Sequence, residues 1–297
     1  MPRTLIVYLH GIGDNIMLSG ALKEYCRRQS LDKVDLVVLN PGCAAIWQNN
    51  PHVGEVTVYP HPQPHYWNPA LFYFRHQWHV RRWIREFNHD GRYQRVLFPT
   101  IQTFPEILYH LTGTYGRHKL DRICADLSLP ADLYPYDLHP TPDEAAAAGK
   151  ILEKFSGARM AVMHPFSGHT KKRISAAGFA SIIKVLREQG FTPLVVGSAA
   201  EEKRFDSSWL TEAIFGLPLG VLVEILKRAE VFAGTDSAVA HLAAFANTPK
   251  LIIFSPKLEP RRYLPVSAAS RILLIRTRQN EEHESLAEFS SRLAGAY

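Results

Sequence analysis

The chain has 297 residues, of which 46% are hydrophobic and 21% charged; that is enough apolar mass for a packed core, and it excludes disordered and fibrous classes. A net charge of +6 favours an anionic partner but falls far short of a dedicated nucleic-acid arm, so no nucleic-acid partner is expected. No run reaches the roughly 20 apolar residues of a membrane span, the opening Leu5 to Leu9 run is too short for a signal-peptide core, and Cys26, Cys43 and Cys124 form no C-x-x-C pair, so a cytoplasmic chain with reduced cysteines is expected.

An apolar run from Thr4 to Leu9 leads into the glycine turn His10-Gly11-Ile12-Gly13-Asp14, and an amphipathic stretch from Ile16 to Arg28 follows. Strand, tight loop and helix are the expected sequence of elements. Further apolar runs at Val34 to Leu39, Val56 to Tyr59 and Arg95 to Phe98 read as strands. Between Arg75 and Arg95 lie six arginines against Glu86 and Asp90, interleaved with aromatics such as Trp78 and Trp83. Prolines at 130, 135, 140 and 142 interrupt any periodicity, and a helix from Asp143 to Phe155 follows; the domain junction is placed at about residue 150.

The same grammar then restarts. It gives strand Met160 to His164, loop Pro165 to Ser175, helix Ala176 to Gln189, strand Thr192 to Val196, helix Glu201 to Thr211 and helix Val221 to Arg228. Strand Val231 to Ala233, loop Gly234 to Asp236, helix Ser237 to Phe245, strands Lys250 to Phe254 and Ile272 to Arg276, and a helix from Glu281 to Leu293 complete the chain. Strands alternating with helices imply parallel sheets wrapped by helices, an α/β class.

Three loops sit at the carboxyl ends of strands, where open α/β sheets bind ligands. The first, Gly11-Ile12-Gly13-Asp14, fails as a dinucleotide fingerprint because the third glycine position is Ile16 and the second strand ends in Asn40, not an acid. His10-Gly11-Ile12-Gly13 matches the oxyanion loop of α/β-hydrolases, yet the chain has no G-x-S-x-G nucleophile turn. Asp14 has two readings, a general base facing a cleft or the cap of a helix starting near Ile16. The second loop, His164 to Arg173, offers hydroxyls and three consecutive cations to a phosphorylated ligand, or is a solvated basic loop. In the third, Gly234 to His241, a helix starting at Ser237 favours an anion; alternatively Asp236 is a plain cap and His241 a core residue.

Together, G-x-G-D after the first strand, H-P-x-S-G and K-R after the mid-chain strand, and G-T-D-S-x-x-x-H-L-A-A followed by T-P and I-F-x-P resemble glycosyltransferase family 9, the bacterial heptosyltransferases. The resemblance runs from end to end. It implies a GT-B architecture, two Rossmann-like domains facing across a cleft, with residues 1–150 binding the acceptor, 151–280 the nucleotide sugar, and the helix in 281–297 packing back on the first domain. It implies an inverting, metal-independent transfer of a sugar, heptose from ADP-heptose in the usual case, to a hydroxyl of the lipopolysaccharide core, with no cofactor. Asp14 matches the family's base. Ser167, Gly168, Thr170, Lys172, Asp236, Ser237, Ala238 and His241 match its donor site. Gly13 with Arg81, Arg82 and Arg85 is assigned to an anionic glycan or glycolipid acceptor, with peripheral contact at the inner membrane. The chain departs from the family pattern at Ile174-Ser175, at Ala238 and at Ser255 and Lys257. A nucleotide-sugar-binding protein without catalysis and an α/β-hydrolase are the alternatives.

Overall fold

A computed structural model describes residues 3–61, 69–99, 118–167, 174–209, 211–255 and 263–276, together with Phe289, Ser291 and Leu293. The chain forms two compact units that meet in sequence between His139 and Pro140. In the first, β1 (Arg3–Tyr8), β2 (Val34–Val38), β3 (Val53–Val58) and β4 (Tyr93–Leu97) pair in parallel in the order β3-β2-β1-β4. Strands β1 and β2 are buried almost throughout, as continuous Leu/Ile/Val runs covered on both faces should be. Helices α1 (Ile12–Gln29), α2 (Pro41–Ile46), α3 (Pro69–Phe87) and α4 (Lys119–Asp126) supply the crossovers and cover.

The second unit begins with α5 (Pro142–Leu152), whose start is fixed by a capping box in which the Thr141 hydroxyl accepts from Glu144 N–H and the Glu144 carboxylate accepts from Thr141 N–H. Strands β5 (Arg159–His164), β6 (Phe191–Gly197), β7 (Glu212–Phe215), β8 (Val231–Thr235), β9 (Lys250–Ser255) and β10 (Arg271–Arg276) form one parallel sheet in the order β10-β9-β8-β5-β6-β7. Counted from β5, that is the doubly wound 3-2-1-4-5-6 order read from the far edge, the Rossmann arrangement. Helices α6 (Ala176–Glu188), α7 (Leu219–Arg228) and α8 (Ala238–Phe245) flank it. Helix α5 packs on α7. The whole of α5 therefore goes with the second unit, although the sequence reading places its first residues before the junction at 150.

One further expectation changes. The helix expected over Glu201 to Thr211 is replaced by short 3-10 turns at Glu202–Arg204 and Ser207–Trp209, and then by β7, which the sequence reading lacks. Local side-chain bonds compete with the helix there: the Glu201 carboxylate accepts from Ser198 N–H at 2.8 Å and Asp206 accepts from Ser208 N–H at 2.9 Å. The apolar spacing of Phe205 and Trp209 reflects their packing on each other, and on Phe179 through Trp209, not a helical face. Most of the helix expected over Glu281 to Leu293 lies outside the described residues; Phe289 and Leu293 are buried in the second unit's own core with Ile252, Phe254 and Ile275.

In the first unit the segment approaching the junction is strapped to α1. Asp137 N–H donates to Ser19 Oγ at 2.9 Å, Asn50 Nδ2 donates to Asp137 O at 3.0 Å, and Lys23 pairs with the Asp137 carboxylate at 3.1 Å. Gly20 permits this approach, because a Cβ there would lie 2.8 Å from the Tyr134 carbonyl oxygen and closer still to that of Pro135. Gly20→Ala is therefore expected to cost about 1–3 kcal/mol and lower the melting temperature by a few degrees, despite the better helix propensity of alanine. A raised melting temperature in a thermal scan would show that the strap can move away.

Candidate functional site

In each sheet the strand order reverses beside the first strand of the unit, between β1 and β4 and between β5 and β8. The carboxyl ends of those strands open a crevice where polar loops can gather.

At the first crevice α1 starts at Ile12, earlier than the sequence suggests, with Gly11 as N-cap and no side-chain cap. Asn15 sets this geometry. Its Nδ2 donates to the carbonyls of His10 and Gly11 at 3.1 and 2.9 Å, and its Oδ1 accepts from Trp47 Nε1 at 3.0 Å, all in a fully buried position. Gly13 and Asp14 consequently lie in the first turn of the helix, and the reading of Asp14 as a helix cap is corrected. A carboxylate in that turn is favoured by the helix dipole.

The structure also brings to Asp14 a residue absent from the sequence reading. Lys119, the first residue of α4, places Nζ 3.0 Å from Asp14 Oδ1, with its side chain 5% exposed and that of Asp14 21% exposed. The same ammonium lies 3.3 Å from His10 Nδ1. A charged lysine only donates, so this contact assigns His10 the neutral tautomer with its proton on Nε2. Cys43 donates from Sγ to the His10 carbonyl at 3.2 Å, and burial pushes its thiol up to about 11. All three cysteines are free and buried.

The arginines are placed unequally. Helix α3 joins two parallel strands, so its N-terminal end lies nearer the carboxyl edge of the sheet. Arg81 reaches that edge, stacking over Phe98 just beyond β4 with its guanidinium carbon 5.4 Å from the ring centre. Arg82 is held along the helix by Glu86 at 3.0 Å and lies over the exposed Trp78. Arg85, four residues beyond Arg81, sits about 6 Å further from the edge.

At the second crevice β8 ends in Thr235, whose hydroxyl donates to the Phe166 carbonyl at 2.6 Å and so ties the loop after β5 to the end of β8. Ser237 is the N-cap of α8, but its side chain does not cap the helix; Oγ lies instead 3.0 Å from His164 Nδ1. This corrects the reading of Asp236 as the cap. No N-cap side chain spends itself on the first N–H groups of α8, and such groups accept an anion well. Ser167, Asp236 and His241 are buried around this end of the sheet, and Ala238 is the first residue of the helix. Gly168, Thr170 and Lys172 lie outside the described residues. Ser175, at a departure from the family pattern, caps α6 by accepting from Gly178 N–H at 3.0 Å, and Ile174 packs on the core.

Glu201 completes this cluster, also unforeseen, with Oε2 3.5 Å from His164 Nε2. Desolvation raises its carboxyl, but the hydrogen bonds from His164 and Ser198 prevail and hold it down at about 2. The row Ser237, His164, Glu201 has two proton arrangements. With neutral His164 donating from Nε2 to Glu201, Nδ1 accepts the serine proton; with imidazolium, Nδ1 donates to Oγ and frees the serine hydroxyl to donate to a ligand oxygen. Because the Glu201 carboxyl is depressed from its ordinary 4.5, its stabilisation is complete above that pH and fades as pH falls toward 2. Urea denaturation at a series of pH values should find Glu201→Gln less stable than the parent by about 1–3 kcal/mol near neutrality. The gap should narrow below pH ~4.5; a gap independent of pH would contradict the assignment.

The model of glycosyltransferase family 9 (heptosyltransferase) matches residues 112–290. No curated protein matches the chain. Among solved structures, a glycosyl transferase of family 9 from Veillonella parvula superposes with a TM-score of 0.69 at 16% identity, covering 100% of this chain and 92% of the other. The E. coli ADP-heptose lps heptosyltransferase II gives 0.68 at 17%, covering 98% of both chains. The E. coli heptosyltransferase WaaC with ADP gives 0.64 at 16%, again covering 98% of both. At such identities the likeness establishes the shared fold.

Proposed function

Because the chain belongs to glycosyltransferase family 9, the heptosyltransferase family, we propose that this glycosyltransferase moves a heptose from ADP-heptose to an anionic acceptor of the lipopolysaccharide core, with inversion at the anomeric carbon. The observation that carries the donor half is the start of α8, where Ser237 turns its hydroxyl to His164 and does not cap the helix, beside the buried Asp236. The likeness to the E. coli ADP-heptose lps heptosyltransferase II and to the E. coli heptosyltransferase WaaC with ADP supports this choice of donor. Lys172, in the loop that follows β5, is assigned to the diphosphate with Ser167, Gly168 and Thr170, and Ala238 and His241 line the same site.

In the first unit Asp14 is the base. The acceptor hydroxyl gives its proton to the Asp14 carboxylate as its oxygen bonds to the anomeric carbon, while the bond from that carbon to the diphosphate oxygen breaks and the nucleoside diphosphate leaves with the electron pair. Helix N–H groups and Lys172 stabilise the charge that develops on the leaving group, and no metal or cofactor is invoked. Gly13 and Arg81 are assigned to the acceptor, Arg81 being the one of the three arginines seated at the sheet's carboxyl edge; Arg82 and Arg85 extend the basic surface toward a phosphorylated glycolipid at the cytoplasmic face of the inner membrane. No described helix is long and apolar enough to cross a membrane. Family membership sets aside the hydrolase alternative.

ADP is expected to raise the melting temperature with EDTA present, since helix N–H groups and lysine take the place of a metal; a strict need for magnesium or manganese would contradict this. Asp14→Asn should lower kcat at least about 10²-fold, the usual scale for a general base, with ADP binding preserved. Full turnover by that variant would remove Asp14 from the chemistry.

A further inference from the structure

We propose that Lys119 is the positioning residue of Asp14, a buried counter-charge that orients the carboxylate and sets the pH range in which it can take a proton. The inference rests on Asp14 being the base and extends that reading to a residue 105 positions away in the chain. A lysine at the first position of a helix lies at the positive end of the helix dipole, and here it is also almost wholly buried, two circumstances that each disfavour an ammonium. Both are offset by the Asp14 carboxylate at 3.0 Å and by the lone pair of His10.

The remaining groups that face Asp14 sharpen this. From α2 comes the Cys43 thiol, held neutral near pH 7 by burial; from the loop after β1 comes His10, neutral in the tautomer assigned above. Lys119 is thus the cation directly paired with Asp14 among the described residues. While Asp14 is ionised the pair is balanced. Once it accepts the acceptor's proton, the ammonium is left buried beside a neutral acid, which favours prompt return of that proton to solvent and resets the base for the next turnover.

The consequence is a pH signature that a purely structural lysine would not give. In Lys119→Met the acid limb of the kcat profile should move up by about 1–2 pH units, the usual effect of removing an opposite charge at this distance. The variant should lose about 10-fold or more in kcat at the pH of the parent's acid limb, and the loss should shrink as pH rises. Lys119→Arg should keep the parent's limb, and ADP should shift the melting temperature of all three proteins equally. A loss equal at every pH, or no loss, overturns the proposal. If Lys119→Met does not fold, the double variant Asp14→Asn/Lys119→Met decides: a double variant more stable than Lys119→Met supports the buried pair, and one no more stable overturns it. Failure of the base reading is separately visible, because Asp14→Asn would then retain turnover whatever Lys119 does.

Discussion

Parallel strand pairing is the constraint on which the rest depends. Every described strand pair in both sheets is parallel, so each strand must be left by a crossover that ends at the opposite edge, and the loops at the carboxyl edge alternate with helix N-termini. Where the winding reverses beside β1 and beside β5, the crossovers diverge and the backbone leaves room for ligands. The helix starts at these two places bring unsatisfied N–H groups with them, and the side chains that gather there are polar because the position demands it.

The two crevices handle charge differently. At the first, a buried cation and a carboxylate compensate one another, with a neutral imidazole taking a further proton of the ammonium. At the second, the carboxylate of Glu201 is held ionised and acts through His164 on a serine hydroxyl. The first arrangement suits a group that gains and loses a proton during turnover. The second suits a group that must orient a hydroxyl toward an anionic ligand while the surrounding sheet remains rigid.

The elements around both crevices were readable from local pattern: apolar runs give the strands, and glycine and proline mark where they end. Asp14, Ser237 and His241 could be singled out because they sit close in sequence to such breaks. Their functional surroundings could not. Lys119 meets Asp14 across an interval of more than a hundred residues whose described part contains three strands and two helices, and no periodicity encodes that meeting. Asn15 and Glu201 are hidden in part for the same reason, since each combines neighbours in sequence with one distant partner, Trp47 for Asn15 and His164 for Glu201. Over 201–211 the bonds that Glu201 and Asp206 accept from nearby backbone N–H groups end any helix, a competition that apolar pattern does not register. The family model begins at residue 112, so it spans Lys119 and the second crevice but not Asp14. The assignment of the base therefore leans on the geometry of the first crevice, and that of the donor site on the signature in the second.

Everything proposed for the two crevices meets in one reaction, sugar transfer from a nucleoside diphosphate donor to an anionic core acceptor. The direct measurement is release of ADP from ADP-heptose by the purified protein, with and without a heptose-deficient lipopolysaccharide core, followed by mass spectrometry of the acceptor. Transfer requires ADP release that depends on the acceptor and an acceptor heavier by one heptose. Release of ADP at the same rate without acceptor, or an acceptor of unchanged mass, would contradict it.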